Sequence, residues 1–158
     1  MEEKSVHLRQ ATGGEIPILL TVLHAAFEEY RGRLDPPSGV HNETVETLRQ
    51  KLKTGAAVLA RIGDDVAGCV FYQQEPTYVY LERLSVLPTY RRQGVGRALV
   101  DYVEQKARRL KLPVQIGVRL PLADIRVFYE RLGYRVVRCA AHEGYSEPTY
   151  AVMQKDLR

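Results

Sequence analysis

The sequence has only two cysteines, four histidines and no long apolar run, and these shortages exclude several kinds of protein. No apolar stretch is long enough to cross a membrane as a helix, so we expect no membrane partner. Residues 1–4, Met-Glu-Glu-Lys, lack the basic and then apolar pattern of a secretory signal, and we therefore expect a cytoplasmic protein. Cys69 and Cys139 both lie inside apolar, strand-like runs. This favours two buried free thiols in a reducing compartment, although their number alone also allows one disulfide.

Metal and covalent chemistry have little support in the sequence. The four histidines share no spacing typical of metal ligands; they are His7, His24, His41 and His142. Neither cysteine stands with a histidine partner that would indicate a nucleophile. We therefore expect neither a metal cofactor nor a covalent enzyme intermediate.

The length and composition place the chain among globular proteins. Of its 158 residues, 45% are hydrophobic and 27% charged, and we predict a single domain over residues 1–158. The net charge is +4 at pH 7, a feature that nucleic-acid binders share with proteins that hold a polyphosphate ligand. The basic residues are spread along the chain and do not alternate with aromatic residues. This favours a phosphate-bearing small molecule, and we expect no nucleic-acid partner.

A glycine-rich segment, Arg91 to Val100, is the most informative part of the sequence. It lies between a strand-like run, Tyr78 to Leu87, and a helix-like run, Gly94 to Lys111. Two glycines one residue apart allow a tight turn in which successive backbone N–H groups point into one concavity at a helix N-terminus. Such a concavity binds anions, and the arginines around it favour a pyrophosphate.

Two common pyrophosphate-binding motifs do not fit this segment. The phosphate loop of NTPases needs Lys-Ser or Lys-Thr after its last glycine, where this chain has Arg97-Ala98. The dinucleotide-binding fingerprint needs a third glycine or an alanine where this chain has Leu99. The pattern that fits is Arg-x-x-Gly-x-Gly, at Arg91, Gly94 and Gly96.

This pattern, with the preceding Leu84-Ser85-Val86-Leu87-Pro88, resembles the coenzyme A loop of the GNAT superfamily of acyl-CoA-dependent N-acyltransferases. A second segment, Phe128-Tyr129-Glu130-Arg131-Leu132-Gly133-Tyr134, is similar to the Phe-Tyr-x-x-Leu-Gly-Phe/Tyr motif of that superfamily. The two motifs occur in the expected order, separated by one helix and one strand. With the elements between them they cover Tyr78 to Tyr134.

The spacing of apolar residues predicts an α/β fold that agrees with this resemblance. The predicted elements are strands over 6–11, 57–62, 66–72, 78–87, 114–120, 134–141 and 150–157, and helices over 16–30, 42–55, 94–111 and 122–132. We expect Asn42 to cap the second helix and Gly55 to end it. The result is a GNAT-like, three-layer mixed sheet of about seven strands flanked by about four helices. The helix over 94–111 should connect the strands over 78–87 and 114–120 as a parallel, right-handed crossover.

The resemblance also implies which residues bind acetyl-CoA. In the superfamily the loop N–H groups hold the pyrophosphate, the preceding strand pairs with the pantetheine amides, and a backbone N–H at the position of Val86 polarises the thioester carbonyl. The residues expected to bind are Leu84, Ser85, Val86, Arg91, Arg92, Gln93, Gly94, Val95, Gly96, Arg97, Asp124 and Phe128. Asp124 is a departure, since family members often have asparagine early in the last helix. It either caps that helix or substitutes in part.

Two side chains are candidates for proton transfer. Glu82 lies on the strand beside the expected cleft and is a candidate general base for an ammonium acceptor. The alternative is that Glu82 forms an ion pair with an arginine of the sheet, such as Arg119. The resemblance implies that Tyr129 is the general acid that protonates the departing coenzyme A thiolate. The alternative for Tyr129 is a core aromatic on an amphipathic helix.

These observations predict an N-acetyltransferase that moves an acetyl group from acetyl-CoA to a small-molecule or peptide amine by direct attack in a ternary complex. The alternative is a non-catalytic acyl-CoA-binding regulatory module, which needs the glycines but neither Glu82 nor Tyr129. A homodimer is compatible with the sequence. Candidate residues for the acceptor pocket are Tyr30, Arg33, His41, His142 and Tyr145.

Overall fold

The computed structural model describes residues 5–157, which form a seven-stranded sheet between two layers of helices. The strands are β1 Val6–Gln10, β2 Ala56–Ile62, β3 Asp65–Gln74, β4 Val79–Val86, β5 Val114–Arg119, β6 Arg135–Ala140 and β7 Tyr150–Lys155. The helices are α1 Ile16–Phe27, α2 Val45–Thr54, α3 Val95–Leu110 and α4 Ala123–Arg131, with short 3₁₀ turns at Gly13–Glu15, Glu28–Tyr30, Gly39–Asn42 and Pro88–Tyr90. The predicted three-layer mixed sheet is thus confirmed.

The strand order places β4 and β5, which precede and follow the glycine-rich loop and α3 in the chain, next to each other in the middle of the sheet. The order is β1-β2-β3-β4-β5-β7-β6, and every neighbouring pair is antiparallel except β4 and β5. Helix α3 connects these two parallel strands, which confirms the predicted parallel crossover.

Helices cover both faces of the sheet, and the side chains of each central strand alternate between the two covered faces. On β2, Val58 and Ala60 pack with α3, whereas Ala57 and Leu59 pack with α1 and α2. Helix α3 contributes an apolar stripe that includes the buried residue Leu99. Within residues 5–157, no helix is both long and apolar enough to span a membrane.

The start of α2 differs from the prediction, whereas its end agrees. Asn42 closes the 3₁₀ turn Gly39–Asn42 and does not cap the helix. The cap is Thr44, whose hydroxyl accepts a hydrogen bond from the Thr47 N–H at 3.2 Å. The Thr47 hydroxyl in turn accepts one from the Thr44 N–H at 2.8 Å. Gly55 ends the helix, with its N–H bonded to the Lys51 carbonyl at 2.9 Å.

The two cysteines are free, but only one of them is buried. Burial raises the pKa of the Cys69 thiol to about 12, so this thiol stays protonated at neutral pH. The expectation that Cys139 is also buried was wrong. Cys139 lies on β6, which is an edge strand exposed along most of its length.

Candidate active site

A cleft opens where the two parallel strands separate. Strands β4 and β5 pair through Val79–Val114, Tyr80–Gln115 and Leu81–Ile116, and their pairing stops there. Beyond the last pair lies a cavity of about 880 Å³ bordered by β4 and β5, the start of α3, the first turns of α4 and the end of α1. Both sequence motifs therefore face one cavity at the carboxyl ends of parallel strands, where α/β sheets generally bind ligands.

A β-bulge in β4 decides which backbone groups face this cleft. Before the bulge, the Val79 N–H bonds to the Pro113 carbonyl on the β5 side at 2.8 Å. Arg83 and Leu84 then lie together opposite Val70, and Arg83 has a φ of +58°. After this extra residue the alternation is reversed. The Leu87 N–H bonds to the Ala67 carbonyl of β3 at 2.9 Å, so the N–H groups of residues 84 and 86 point into the gap.

The glycine-rich loop presents a run of unpaired N–H groups to the same cleft. Arg92 and Gly94 both have left-handed backbone conformations, with φ of +64° and +82°. Helix α3 begins directly after Gly94, and its first internal backbone hydrogen bond is from Ala98 to the Gly94 carbonyl at 3.0 Å. Among the residues that the structure describes, none accepts a hydrogen bond from the N–H groups of residues 92–97. A turn of this kind followed by a helix N-terminus is suited to bind an anion.

The side chains of the loop have different roles. Arg91 is held by the α1 end of the cleft, with Nη2 2.7 Å from a Glu29 carboxylate oxygen and 3.4 Å from the Ala26 carbonyl. Arg92 and Arg97 are exposed, line the cleft and form no ion pair within residues 5–157. Arg92 and Arg97 are therefore the arginines whose side chains are free to bind a phosphate.

Two further residues of the loop, Gln93 and Gly96, have no charged side chain to offer a phosphate. Gln93 bonds to the Thr89 carbonyl at 3.3 Å and is not among the residues that border the cavity. At Gly96, a Cβ atom would lie 3.4 Å from Phe128 Cζ and 3.7 Å from Val86 Cγ2. Gly96 thus allows α3, α4 and β4 to approach closely around the loop.

Glu82 lines the cleft but already has a cationic partner. Its Oε1 lies 2.7 Å from Nζ of Lys51 in α2, and the Glu82 side chain is 25% exposed. Behind it, Glu43 lies 3.9 Å from Lys51 Nζ and 3.4 Å from Arg83 Nε. The ion pair that we considered for Glu82 therefore exists, but with a lysine and not with Arg119. Lys51 is 31 residues away in the sequence, and no local pattern indicates it.

Tyr129 is buried at the inner end of the cleft. Its ring packs edge-on against Phe128 at 5.0 Å and against Tyr134 at 5.5 Å. Tyr129 borders the cavity. Within residues 5–157, no group forms a hydrogen bond with its hydroxyl. Burial, with a smaller effect of nearby Tyr80, raises the pKa of Tyr129 well above its usual range. The hydroxyl is therefore a protonated donor at every physiological pH.

The remaining predicted binding residues border the cleft through different groups. Asp124 lies in the first turn of α4, but the cap position is Leu122, so the expectation that Asp124 caps the helix was wrong. Asp124 and Phe128 both border the cavity, and Val95 borders it at the start of α3. Ser85 is 1% exposed and its hydroxyl donates to the Arg83 carbonyl at 3.1 Å, so this side chain is not available to a ligand.

The acceptor candidates do not all meet in the cleft. Tyr30 and Arg33 border it, whereas His41, His142 and Tyr145 do not. Sequence reasoning missed Arg119 as a residue of this surface. Its position at the carboxyl end of β5, next to the strand separation, is the signal that would have found it. The described residues contain no group of three or more histidine, cysteine, aspartate or glutamate side chains arranged to hold a metal ion.

Comparison with known proteins identifies the family. The sequence model described as the acetyltransferase (GNAT) family matches residues 21–134, which is more than half of the chain. The chain belongs to the GNAT acetyltransferase family. Both motifs recognised in the sequence lie within the matched region, and the resemblance that they indicated is confirmed.

Curated relatives match a shorter part of this GNAT-family chain. An uncharacterized N-acetyltransferase of Bacillus mycoides strain KBAB4 is 34% identical over 61 residues, which are 39% of this chain and 34% of the relative. The uncharacterized N-acetyltransferase YlbP of Bacillus subtilis strain 168 is 29% identical over 68 residues, which are 43% of this chain and 38% of the relative. The chain thus spans well under half the length of the curated relatives that it matches.

Solved structures share the fold over almost the whole chain. The PaiA N-acetyltransferase of Thermoplasma acidophilum in complex with coenzyme A superposes with a TM-score of 0.80 at 16% identity, over 97% of this chain and 99% of its own. The ribosomal-protein-S18-alanine N-acetyltransferase of Escherichia coli gives 0.73 at 17% identity, over 95% and 92%. A GNAT family acetyltransferase of Elizabethkingia anophelis with acetyl-CoA bound gives 0.70 at 19% identity, over 96% and 98%.

Proposed function

We propose that this GNAT-family chain transfers an acetyl group from acetyl-CoA to a primary amine. The observation that carries the proposal is the run of unpaired N–H groups at residues 92–97, which opens into the gap between β4 and β5. The pyrophosphate of acetyl-CoA binds to this run, and the exposed guanidinium groups of Arg92 and Arg97 add charge-assisted hydrogen bonds to its phosphates. Two solved structures of the same fold with coenzyme A or acetyl-CoA bound support this ligand.

The pantetheine arm lies along β4 like an additional strand. The N–H groups of Leu84 and Val86 face the gap because the bulge at Arg83 reverses the backbone alternation. They donate to pantetheine and thioester carbonyls, and the Val86 N–H stabilises the negative charge that develops on the thioester oxygen. The Phe128 ring and Asp124 border the other side of the arm.

The chemical step is a direct attack within the ternary complex. The neutral amine nitrogen attacks the thioester carbon, a C–N bond forms, and the C–S bond then breaks with its electron pair remaining on sulfur. The proton that leaves the nitrogen passes to Glu82 or to water, and the sulfur gains one proton to become the coenzyme A thiol. No cysteine takes part, since neither Cys69 nor Cys139 borders the cleft and the Cys69 thiol is buried and protonated.

Tyr129 assists the departure of sulfur by hydrogen bonding. A coenzyme A thiol has a pKa of about 8.5, like cysteine, whereas burial raises the pKa of Tyr129 far above that value. Complete proton transfer from Tyr129 to the thiolate would therefore be uphill. A hydrogen bond from the Tyr129 hydroxyl still stabilises the charge on sulfur, and solvent supplies the final proton.

A thiol-release assay with acetyl-CoA and a panel of amines tests this proposal, with the acetylated amine identified by mass spectrometry. We expect acetyl-CoA to raise the thermal unfolding midpoint and at least one amine to be acetylated. A rise in the midpoint without turnover of any amine would overturn the proposal in favour of a non-catalytic acyl-CoA-binding module. If acetyl-CoA caused no rise in the unfolding midpoint and no amine were acetylated, the acetyl-CoA site itself would be contradicted.

A further inference from the structure

The cleft carries more positive than negative side chains. Six arginines border it, compared with three carboxylates: Arg33, Arg83, Arg91, Arg92, Arg97 and Arg119 against Glu29, Glu82 and Asp124. Arg91, Arg92 and Arg97 belong to the loop assigned above to phosphate. The other three form a separate set beside the loop of residues 31–39, and we refer to Arg33, Arg83 and Arg119 as the arginine rim.

The carboxylates near the arginine rim are already neutralised by other residues. Glu29 forms an ion pair with Arg91 at 2.7 Å, and Glu82 forms one with Lys51 at 2.7 Å. Glu43, behind the rim, is shared between Lys51 and Arg83. Of the three carboxylates that border the cleft, only Asp124 forms no ion pair within residues 5–157, so the cleft offers little free negative charge to a cationic substrate.

Two cations of the rim form no direct ion pair within the part of the chain that the structure describes. Arg119 donates from Nη2 to the Pro36 carbonyl, its Nε is buried without a hydrogen-bond acceptor, and it forms no ion pair within residues 5–157. The Asp35 carboxylate lies nearby and keeps its charge while it accepts a hydrogen bond from the Tyr145 hydroxyl, but it forms no ion pair with Arg119. Within residues 5–157, the guanidinium of Arg33 donates only to the Glu29 carbonyl, at 3.2 Å. The buried Nε is out of a ligand's reach, but Arg119 borders the cleft and its guanidinium charge has no ion-pair partner within residues 5–157, which favours an anionic ligand that binds through the terminal nitrogens.

The loop of residues 36–39 lies against two guanidinium groups of the rim, those of Arg119 and Arg83. Arg119 contacts Pro36 at one end of this short segment, and a Cβ atom on Gly39 at the other end would lie 3.0 Å from Arg83 Nη2. Four consecutive residues span at most about 11 Å between their outer Cα atoms. Ser38, between the two ends, borders the cleft.

We propose that the amine acceptor also carries a carboxylate, which the arginine rim binds with Arg119 as the main contact. The inference rests on the proposed acetyl transfer and names its acceptor class: an amino acid, or a peptide with an acidic residue close to its amino terminus. A planar guanidinium binds a carboxylate through two parallel hydrogen bonds. A polyamine or an aminoglycoside would instead bring several like charges against the rim.

Matched pairs of amines test this directly. Phenylalanine is compared with phenethylamine, lysine with cadaverine, and a peptide with glutamate at its second position with the same peptide carrying glutamine. We expect kcat/KM to be at least about tenfold higher for a carboxylate-bearing member, since charge-assisted hydrogen bonds are of that strength. The free amino acids and the peptides separate the two sources of the carboxylate.

Variants assign the effect to the rim. In Arg119→Ala and Arg119→Lys, the ratio of kcat/KM within a pair should fall towards one, mainly through KM. In the control Arg109→Ala, which removes an exposed arginine on α3, the ratio should be unchanged. Equal turnover within every pair, or best turnover of polyamines, would overturn the inference while leaving acetyl transfer intact. Absence of turnover with any amine would overturn the proposed function, and this inference with it.

Discussion

At the scale of single residues, Tyr129 is a buried residue that borders the cleft, and its hydroxyl has no hydrogen-bond partner within residues 5–157. Tyr129→Phe removes only this group, so we expect the fold to keep its stability while kcat falls about 100-fold. Because burial raises the pKa of Tyr129, its ionisation should not limit activity up to about pH 10. Thiol release measured across pH, together with thermal unfolding, checks both statements. A kcat that Tyr129→Phe leaves unchanged would contradict the proposed role.

Glu82 is either a base or the anionic half of an ion pair with Lys51, and two substitutions separate these roles. Both Glu82→Gln and Lys51→Met break the ion pair, but only the first removes the carboxylate. If Glu82 accepts a proton, Glu82→Gln should lower kcat/KM about 100-fold whereas Lys51→Met keeps most of the activity. Steady-state kinetics at saturating acetyl-CoA provides the comparison. Equal losses in the two variants would show that the ion pair, and not the base, matters.

At the scale of elements, the turn before α3 depends on the left-handed conformation of Gly94. Gly94 and Gly63 have φ of +82° and +60°, and a Cβ atom on either would meet no atom within 4 Å. Gly94→Ala and Gly63→Ala should therefore each lower the free energy of unfolding by about 1 kcal/mol through backbone strain alone. Only Gly94→Ala should also raise KM for acetyl-CoA, because Gly63 lies in the β2–β3 turn. Urea unfolding and kinetics of both variants test this, and matching KM values would refute it.

The elements that the sequence predicted best are those fixed by neighbouring residues. Gly55 ended α2, and the two glycines placed the loop before α3, since a backbone conformation is set locally. Cys139 was misplaced because exposure depends on the position of β6 at the sheet edge, which an apolar run does not reveal. The bulge at Arg83 was not foreseen either, because an arginine gives no sign of a positive φ. The Lys51–Glu82 ion pair joins distant segments and could only be read from the fold.

At the scale of the whole molecule, the sheet consists of two parts that meet at three residue pairs between β4 and β5. Such a short junction leaves the cleft open, and other elements have to hold the parts together. Helix α3 packs on β1 to β4, and its buried Glu104 reaches across to the other part. Glu104 accepts a hydrogen bond from the Tyr134 hydroxyl at 2.9 Å and lies 3.0 Å from Nζ of Lys155 in β7.

This contact predicts how strongly the two parts depend on one buried carboxylate. Glu104→Ala leaves the Tyr134 hydroxyl and the Lys155 ammonium without their acceptor, so we expect the free energy of unfolding to fall by about 3 kcal/mol. The control Glu130→Ala breaks an exposed ion pair with Arg126 on α4 and should cost less than about 0.5 kcal/mol. Because the cleft lies between the parts, Glu104→Ala should also raise KM for acetyl-CoA. Denaturant unfolding of both variants measures the first effect, and similar losses for the two would mean that the carboxylate does not join the parts.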